Sequence, residues 1–366
     1  MYLGLRDLRV AKGRFALVGV VIVLVALLST VLAGLANGLV DDGISGLRAL
    51  PITHLSFQEG AESSFSRSIL TTDQLATFDE APGVEATPIG VSFLNAATDD
   101  GKTIDIALFG VDPGGFLAGA SAAGDGATPA PSGGIEDGLV LAQDLADEVE
   151  IGERFTIAGS DLTLPVVGFT FAGTYGHVPI AYTSLDTWRQ LQYGDDPRGR
   201  FAAIALRATG DADLAALDEA AGTETGTRED AFAGSPGYSA ETATMSLIRG
   251  FLLVISALVV GAFFTVWTVQ RTRQIGLLKA LGASTGYVVR DALGQLAVIL
   301  LVSVLVGTLI GLGVGSLVGE DVPFSFTAGS VVASAVALAV VGMAGSLVAL
   351  RKLTGVDPVI SLAAEQ

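Results

Sequence analysis

Phe15 to Val40 is a run of 26 residues without a charge, FALVGVVIVLVALLSTVLAGLANGLV. At about 1.5 Å of rise per residue it makes roughly 39 Å of helix, more than the ~30 Å hydrocarbon core of a bilayer requires. Arg6, Arg9, Lys12 and Arg14 precede it, as in a secretory leader, and Ala33-Gly34-Leu35-Ala36 faintly resembles a cleavage site. The apolar region of a leader is only about 7–15 residues long, so the run reads as an anchor. Three more uncharged runs follow: Gly250–Val269, Ala292–Gly319 and Val322–Leu350. Glu320 and Asp321, with Pro323 behind them, break the last two into a hairpin whose tip belongs outside lipid, where carboxylates stay hydrated. The expected count is four spans.

Composition agrees and excludes other classes. Hydrophobic residues make up 50% of the chain and charged residues 16%, against about 25% charged in ordinary globular chains. A net charge of −18 speaks against nucleic-acid binding, which needs a basic face. The chain has no cysteine, which removes disulfides, thiolate metal sites and a thiol nucleophile.

Orientation follows from the positive-inside rule. With the N-terminus inside, the inner segments hold ten basic and four acidic residues, whereas residues 41–245 hold nine basic and 32 acidic. The long acidic block therefore lies outside. Within it, Thr72-Asp73-Gln74-Leu75 has the pattern of a capped helix start that Pro82-Gly83 ends. Alternation predicts strands over Thr103–Val111 and Phe201–Leu206, and a strand pair from Arg154–Ile157 and Leu162–Phe171. Leu139–Val149 and Ala212–Ala221 read as short helices, residues 112–138 as a Gly-, Ala-, Ser- and Pro-rich excursion, and Thr223–Glu241 as a polar return. The expected fold class is an α-helical membrane protein: four transmembrane helices with one α+β extracytoplasmic domain inserted between spans one and two.

Between spans two and three runs Gln270-Arg-Thr-Arg-Gln-Ile-Gly-Leu-Leu-Lys-Ala-Leu-Gly-Ala-Ser284. Ile275, Leu278 and Leu281 recur at helical spacing among Arg271, Arg273 and Lys279, and Gly282 supplies a stop. Physically this is a short amphipathic helix at the inner surface, serving either as a topology anchor or as a docking element.

Arg271–Ser284 resembles the RTREIGLLKALGAS motif of the MacB/FtsX-type ABC transporter permeases. Other segments agree in order: Gly4–Arg9 resembles their amphipathic elbow, and the stretch from Gly138 through Ile151–Ile157 to Pro165–Gly168 their extracytoplasmic core. Asp357-Pro358-Val359 resembles their C-terminal tail. One span, a large outside domain and three further spans resemble the DevC-like, four-span branch. The resemblance implies a permease homodimer in membrane lipid that recruits separate ABC ATPase subunits through the coupling helix. Arg271, Arg273, Gln274, Ile275, Gly276, Leu278, Lys279, Leu281 and Gly282 are then the ATPase-coupling residues.

The implied layout is a cytoplasmic elbow at 1–14, span 1 at 15–40, the extracytoplasmic domain at 41–245 and span 2 at 246–269. The coupling helix at 270–290, span 3 at 291–319, an outer loop at 320–329, span 4 at 330–350 and a cytoplasmic tail at 351–366 complete it. Both termini are then cytoplasmic, in a bacterial cell membrane. No GxxxxGK[ST] phosphate loop occurs, so ATP and Mg enter through the partner, and the chain carries no cofactor of its own. No Gly-x-Ser-x-Gly elbow occurs either, and no enzyme activity is expected of the chain by itself.

Gly307, Gly311, Gly315 and Gly319 form a small-residue ladder in span three, expected to serve helix packing. For substrate, His54, Phe57 and Glu59 follow span one, and Met245 and Arg249 stand at the outer entrance to span two. Histidine, methionine or carboxylate can ligate a haem iron, and arginine can pair with a propionate. Haem-exporter permeases of the HrtB kind share this four-span form, which makes haem the preferred transported substrate. The alternatives are a lipid, lipopeptide or antimicrobial peptide as cargo, or an FtsX-like mechanotransmitter regulating a cell-wall hydrolase. His177, among Tyr175, Pro179 and Tyr182, reads as a loop or core residue.

Overall fold

Freedom from charge and from proline lets the N-terminal apolar run continue as one helix, α1 (Lys12–Arg48). A computed structural model describes residues 12–98, 101–118, 134–160, 162–194, 198–210, 212–270, 277, 281–319 and 322–351. The chain divides into two compact units, Val40–Glu241 and Met1–Leu39 with Thr242–Gln366.

The first unit is an α+β domain built on one sheet. Its strands are β1 (His54–Gln58), β2 (Val84–Thr98), β3 (Thr103–Val111), β4 (Leu139–Ala142) and β5 (Arg154–Ile157). β6 (Thr163–Thr170), β7 (Thr174–Tyr175), β8 (Val178–Ser184), β9 (Ala203–Ala208) and β10 (Thr223–Thr227) complete it. The order is β10-β1-β9-β2-β3-β8-β4-β6-β5, with β7 beside β8, and the far end of β2 also pairs β5. The ladder from β2 through β3, β8, β4, β6 and β5 therefore returns to β2. Long β2 makes this possible: Val84–Ile89 pairs β9 and Ala96–Thr98 pairs β5 along the same edge. β3 with β8, and β4 with β6, run parallel.

Phe109, Phe155, Ile106, Leu141 and Ile180 are fully buried between sheet and helices. The helices are α2 (Thr72–Asp79), α3 (Leu185–Tyr193), α4 (Leu214–Ala221) and α5 (Arg228–Ala231). At the start of α2 the Gln74 side-chain carbonyl accepts the Thr71 N–H at 3.0 Å, closing the cap that the sequence spells out. Trp188 of α3 lies over paired Gly90 and Gly110, where added Cβ atoms would stand 2.2 and 2.3 Å from it. Two readings change. Leu139–Val149 is not a helix but β4 followed by a 3-10 turn at Gln143–Leu145, because all four β4 residues are buried between β6 and β8. A short continuous apolar run does not distinguish an interior strand from a helix. Thr223–Glu241 is not a loose return: it holds β10, α5, a 3-10 turn at Phe232–Gly234 and the start of the next helix.

The second unit is helical. Beside α1 it contains α6 (Tyr238–Gln270), α7 (Thr285–Gly315) and α8 (Ala328–Arg351). All four are long and apolar enough to cross a membrane. Val18, Ile22 and Ala26 on α1 meet Val260 and Phe264 on α6 and Leu296, Leu300 and Val304 on α7 in one core. The opposite faces are also apolar: Leu24 and Leu28, Phe251 and Leu258, Leu305 and Leu309 are each more than half exposed. Apolar character all round suits a membrane-spanning helix. Glycine lets backbones close: a Cβ on Gly307 would stand 2.4 Å from the Val23 carbonyl oxygen, and one on Gly345 2.5 Å from that of Ala257. The chain after α7 crosses α1 at Gly38, where a Cβ would fall 2.3 Å from Pro323 backbone.

Candidate functional site

The β7–β8 hairpin turns through Gly176 and His177, both left-handed, with φ of +60° and +66°. Two consecutive positive φ values suit the right-handed twist of a two-residue hairpin loop. Glycine adopts them without cost, but histidine does so against its Cβ. What holds His177 is visible. Its Nδ1 lies 2.8 Å from Asp42 Oδ2, near the end of α1, and its Nε2 lies 3.0 Å from Glu241 Oε1, in the first turn of α6. Two ionised carboxylates are both satisfied only when both ring nitrogens donate, so the pair favours the imidazolium form. Burial lowers the His177 pKa, but the hydrogen bonds and charges of Asp42 and Glu241 outweigh it, so the net shift is upward.

Backbone contacts reinforce the clip. The Gly43 carbonyl accepts the Gly176 N–H at 2.9 Å and the Ser235 hydroxyl at 2.8 Å, and Ser45 Oγ pairs with Thr174 Oγ1 at 2.9 Å. Asp41 pairs with Arg48 on the same stretch of α1. The sequence reading missed this site because its three residues lie far apart in the chain. The Tyr-Gly-His-Val turn between two β-prone dipeptides is the signal that could have found it.

In the helical unit, Arg249 of α6 donates from Nη2 to the Ala33 carbonyl and to Asn37 Oδ1, each at 3.3 Å. Asn37 Nδ2 donates to Ser330 Oγ at 2.6 Å, which joins α1, α6 and α8 through polar groups. Arg249 has no carboxylate partner among the described residues, and its buried Nε has no acceptor. An ionisable residue in a span marks a functional position by default, here one that suits an anion.

The other sequence-selected residues are placed as follows. His54 is half-buried on β1 with Nδ1 2.9 Å from Thr53 Oγ1, and Glu59 is exposed after the strand. Phe57 points to the opposite face from His54 and packs edge-on against Phe65 at 5.1 Å, so it serves the core. Met245 is half-buried one turn before Arg249. Arg271, Arg273, Gln274, Ile275, Gly276, Leu278 and Lys279 lie outside the described residues. Leu281 is 77% exposed, Gly282 has φ +94°, and Ser284 caps α7 by accepting the Tyr287 N–H at 3.3 Å. Gly307 and Gly311 face α1, Gly315 faces Phe324 and Phe326, and nothing stands within 4 Å of Gly319.

Residues 246–358 match the family FtsX-like permease C-terminal. Over these residues the chain is similar to the FtsX-type ABC transporter permeases, and its four long apolar helices are those of a multipass membrane protein. A Staphylococcus epidermidis relative bearing the provisional name hemin transport system permease protein HrtB is 22% identical over 379 residues, 100% of either chain. An uncharacterised ABC transporter permease of Mycobacterium tuberculosis is 23% identical over 364 residues, 99% of either chain. Among solved structures, the periplasmic region of MacB from Actinobacillus actinomycetemcomitans overlays with a TM-score of 0.36 at 12% identity, over 51% of this chain and 94% of that one.

Proposed function

We propose that the chain is the membrane subunit of an exporter that acts as a homodimer with two separate ATPase subunits and clears haem from the membrane or its outer face. In this reading both termini are cytoplasmic and the acidic domain lies outside. ATP closes the partner subunits on the segment 270–290, and the movement passes along α1 and α6. The unpaired Arg249 guanidinium carries the haem assignment, because a haem propionate supplies the anion that no described carboxylate supplies. Relatives of matching length that bear a hemin-transport name support the same cargo.

Haem titrated into the full chain in lipid nanodiscs tests the assignment. A saturable Soret band weakened about tenfold or more by Arg249→Met is expected, since a charged hydrogen bond contributes on the order of 1.5–3 kcal/mol. Equal affinity in the variant overturns the assignment. Co-purification of a wall hydrolase with the outside domain, without haem binding, would replace export with mechanical signalling.

A further inference from the structure

The α+β domain contains a cavity of about 350 Å³ that the transport reading does not use. Phe93 and Tyr175 form part of its wall, stacked at 5.7 Å with their planes 10° apart. Trp188 and Tyr193 form another, edge to face at 5.8 Å. Phe93 and Ile69, both in the lining, remain 47% and 49% exposed. The volume falls within the range of small-molecule sites, which combine apolar walls with a few fixed polar groups.

Those polar groups are uncharged. Ser92 Oγ accepts the Trp188 indole N–H at 2.9 Å and donates to Gln192 Oε1 at 2.9 Å, which fixes the Gln192 amide with its NH₂ still able to donate. Tyr175 is 2% exposed, and burial pushes its pKa well above the usual value. Among the described residues no Asp, Glu, Lys, Arg, His or Met lines the cavity. The lining itself therefore carries no formal charge, and the Arg200 guanidinium lies over the Tyr193 ring at 4.1 Å.

The cavity also abuts the clip. Tyr175 in its wall and His177 between the carboxylates are separated by Gly176 alone, whose added Cβ would stand 2.8 Å from Phe93. Gly234 and Pro236 line the cavity, and Ser235 between them donates to Gly43 on α1. We infer that this cavity binds an uncharged molecule bearing a flat aromatic ring, and that filling it stiffens the turn that holds Asp42 and Glu241. The inference does not depend on haem being the cargo.

Competitive dialysis of the full chain in nanodiscs tests it with two probes sharing one ring, N-acetyl-L-tryptophanamide and the anionic N-acetyl-L-tryptophan, with methyl glucoside as a ringed but non-aromatic control. Saturable binding of the amide at least tenfold tighter than of either other compound is expected. Tyr175→Phe, which retains the ring packing, should weaken it about three- to tenfold, and exposed Phe93→Ser should abolish it. The bound amide should slow hydrogen exchange of the Gly176 N–H. Equal binding of amide and anion, preference for the glucoside, binding unchanged in both variants, or exchange unaffected by saturating amide would each overturn the corresponding claim. The haem titration is read separately, in the Soret band.

Discussion

His177 Nε2 stands 3.0 Å from Glu241 Oε1, and through this contact the β7–β8 turn holds the last residue of the Val40–Glu241 unit. The opposite ring nitrogen holds Asp42, near the start of the same unit. A folded-state pKa raised above the ordinary value near 6.5 gives a definite sign. The clip contributes its full stability below about pH 6.5 and loses it as pH rises through the raised folded value. His177→Gln should therefore lower the melting temperature by about 2–4 °C at pH 6, and by less at pH 9. Thermal melts of both proteins across this range check it; a deficit that grows with pH would contradict it.

Arg249 supports no carboxylate, so removing it leaves no charge stranded among the described residues. Arg249→Met should leave the melting temperature within about 2 °C of the parent while impairing cargo binding, since an uncompensated charge is what makes such losses severe. Differential scanning fluorimetry in the same nanodiscs separates this outcome from a structural role, which would lower stability and binding together.

Gly307 and Gly313 occupy the same helix with opposite surroundings: α1 backbone closes on the first, and nothing stands within 4 Å of the second. Gly307→Leu should force α1 away and destabilise the helical unit by about 1–3 kcal/mol or more. Gly313→Ala should be neutral or slightly stabilising, because alanine is the better helix former. Retention of a monodisperse gel-filtration peak on heating reads the difference.

The legible parts of the fold were those in which one periodicity dominated. The long uncharged runs could only be spans, and the alternation in Thr103–Val111 matches β3 from end to end. β4 was not legible, because its four buried residues look like a helix segment until the parallel neighbour β6 is in place. The polar stretch before α6 concealed β10 for another reason: its threonines pair across to β1 and contact Asp218, contacts that apolar alternation does not report. Arg249 stood out as a lone cation beside an apolar run. The clip did not, since Asp42, His177 and Glu241 are brought together only by the closing of the hairpin against two helix ends.

The central claim is that the amphipathic segment between the second and third apolar helices takes force from a separate ATPase. It is tested most directly by measuring ATP hydrolysis and substrate export after co-expressing the ATPase subunit with the parent chain or with an Ile275→Asp/Leu278→Asp variant. The account predicts that the variant inserts normally, fails to retain the ATPase on purification and loses export. A variant that retains the ATPase and exports at the parental rate would contradict it.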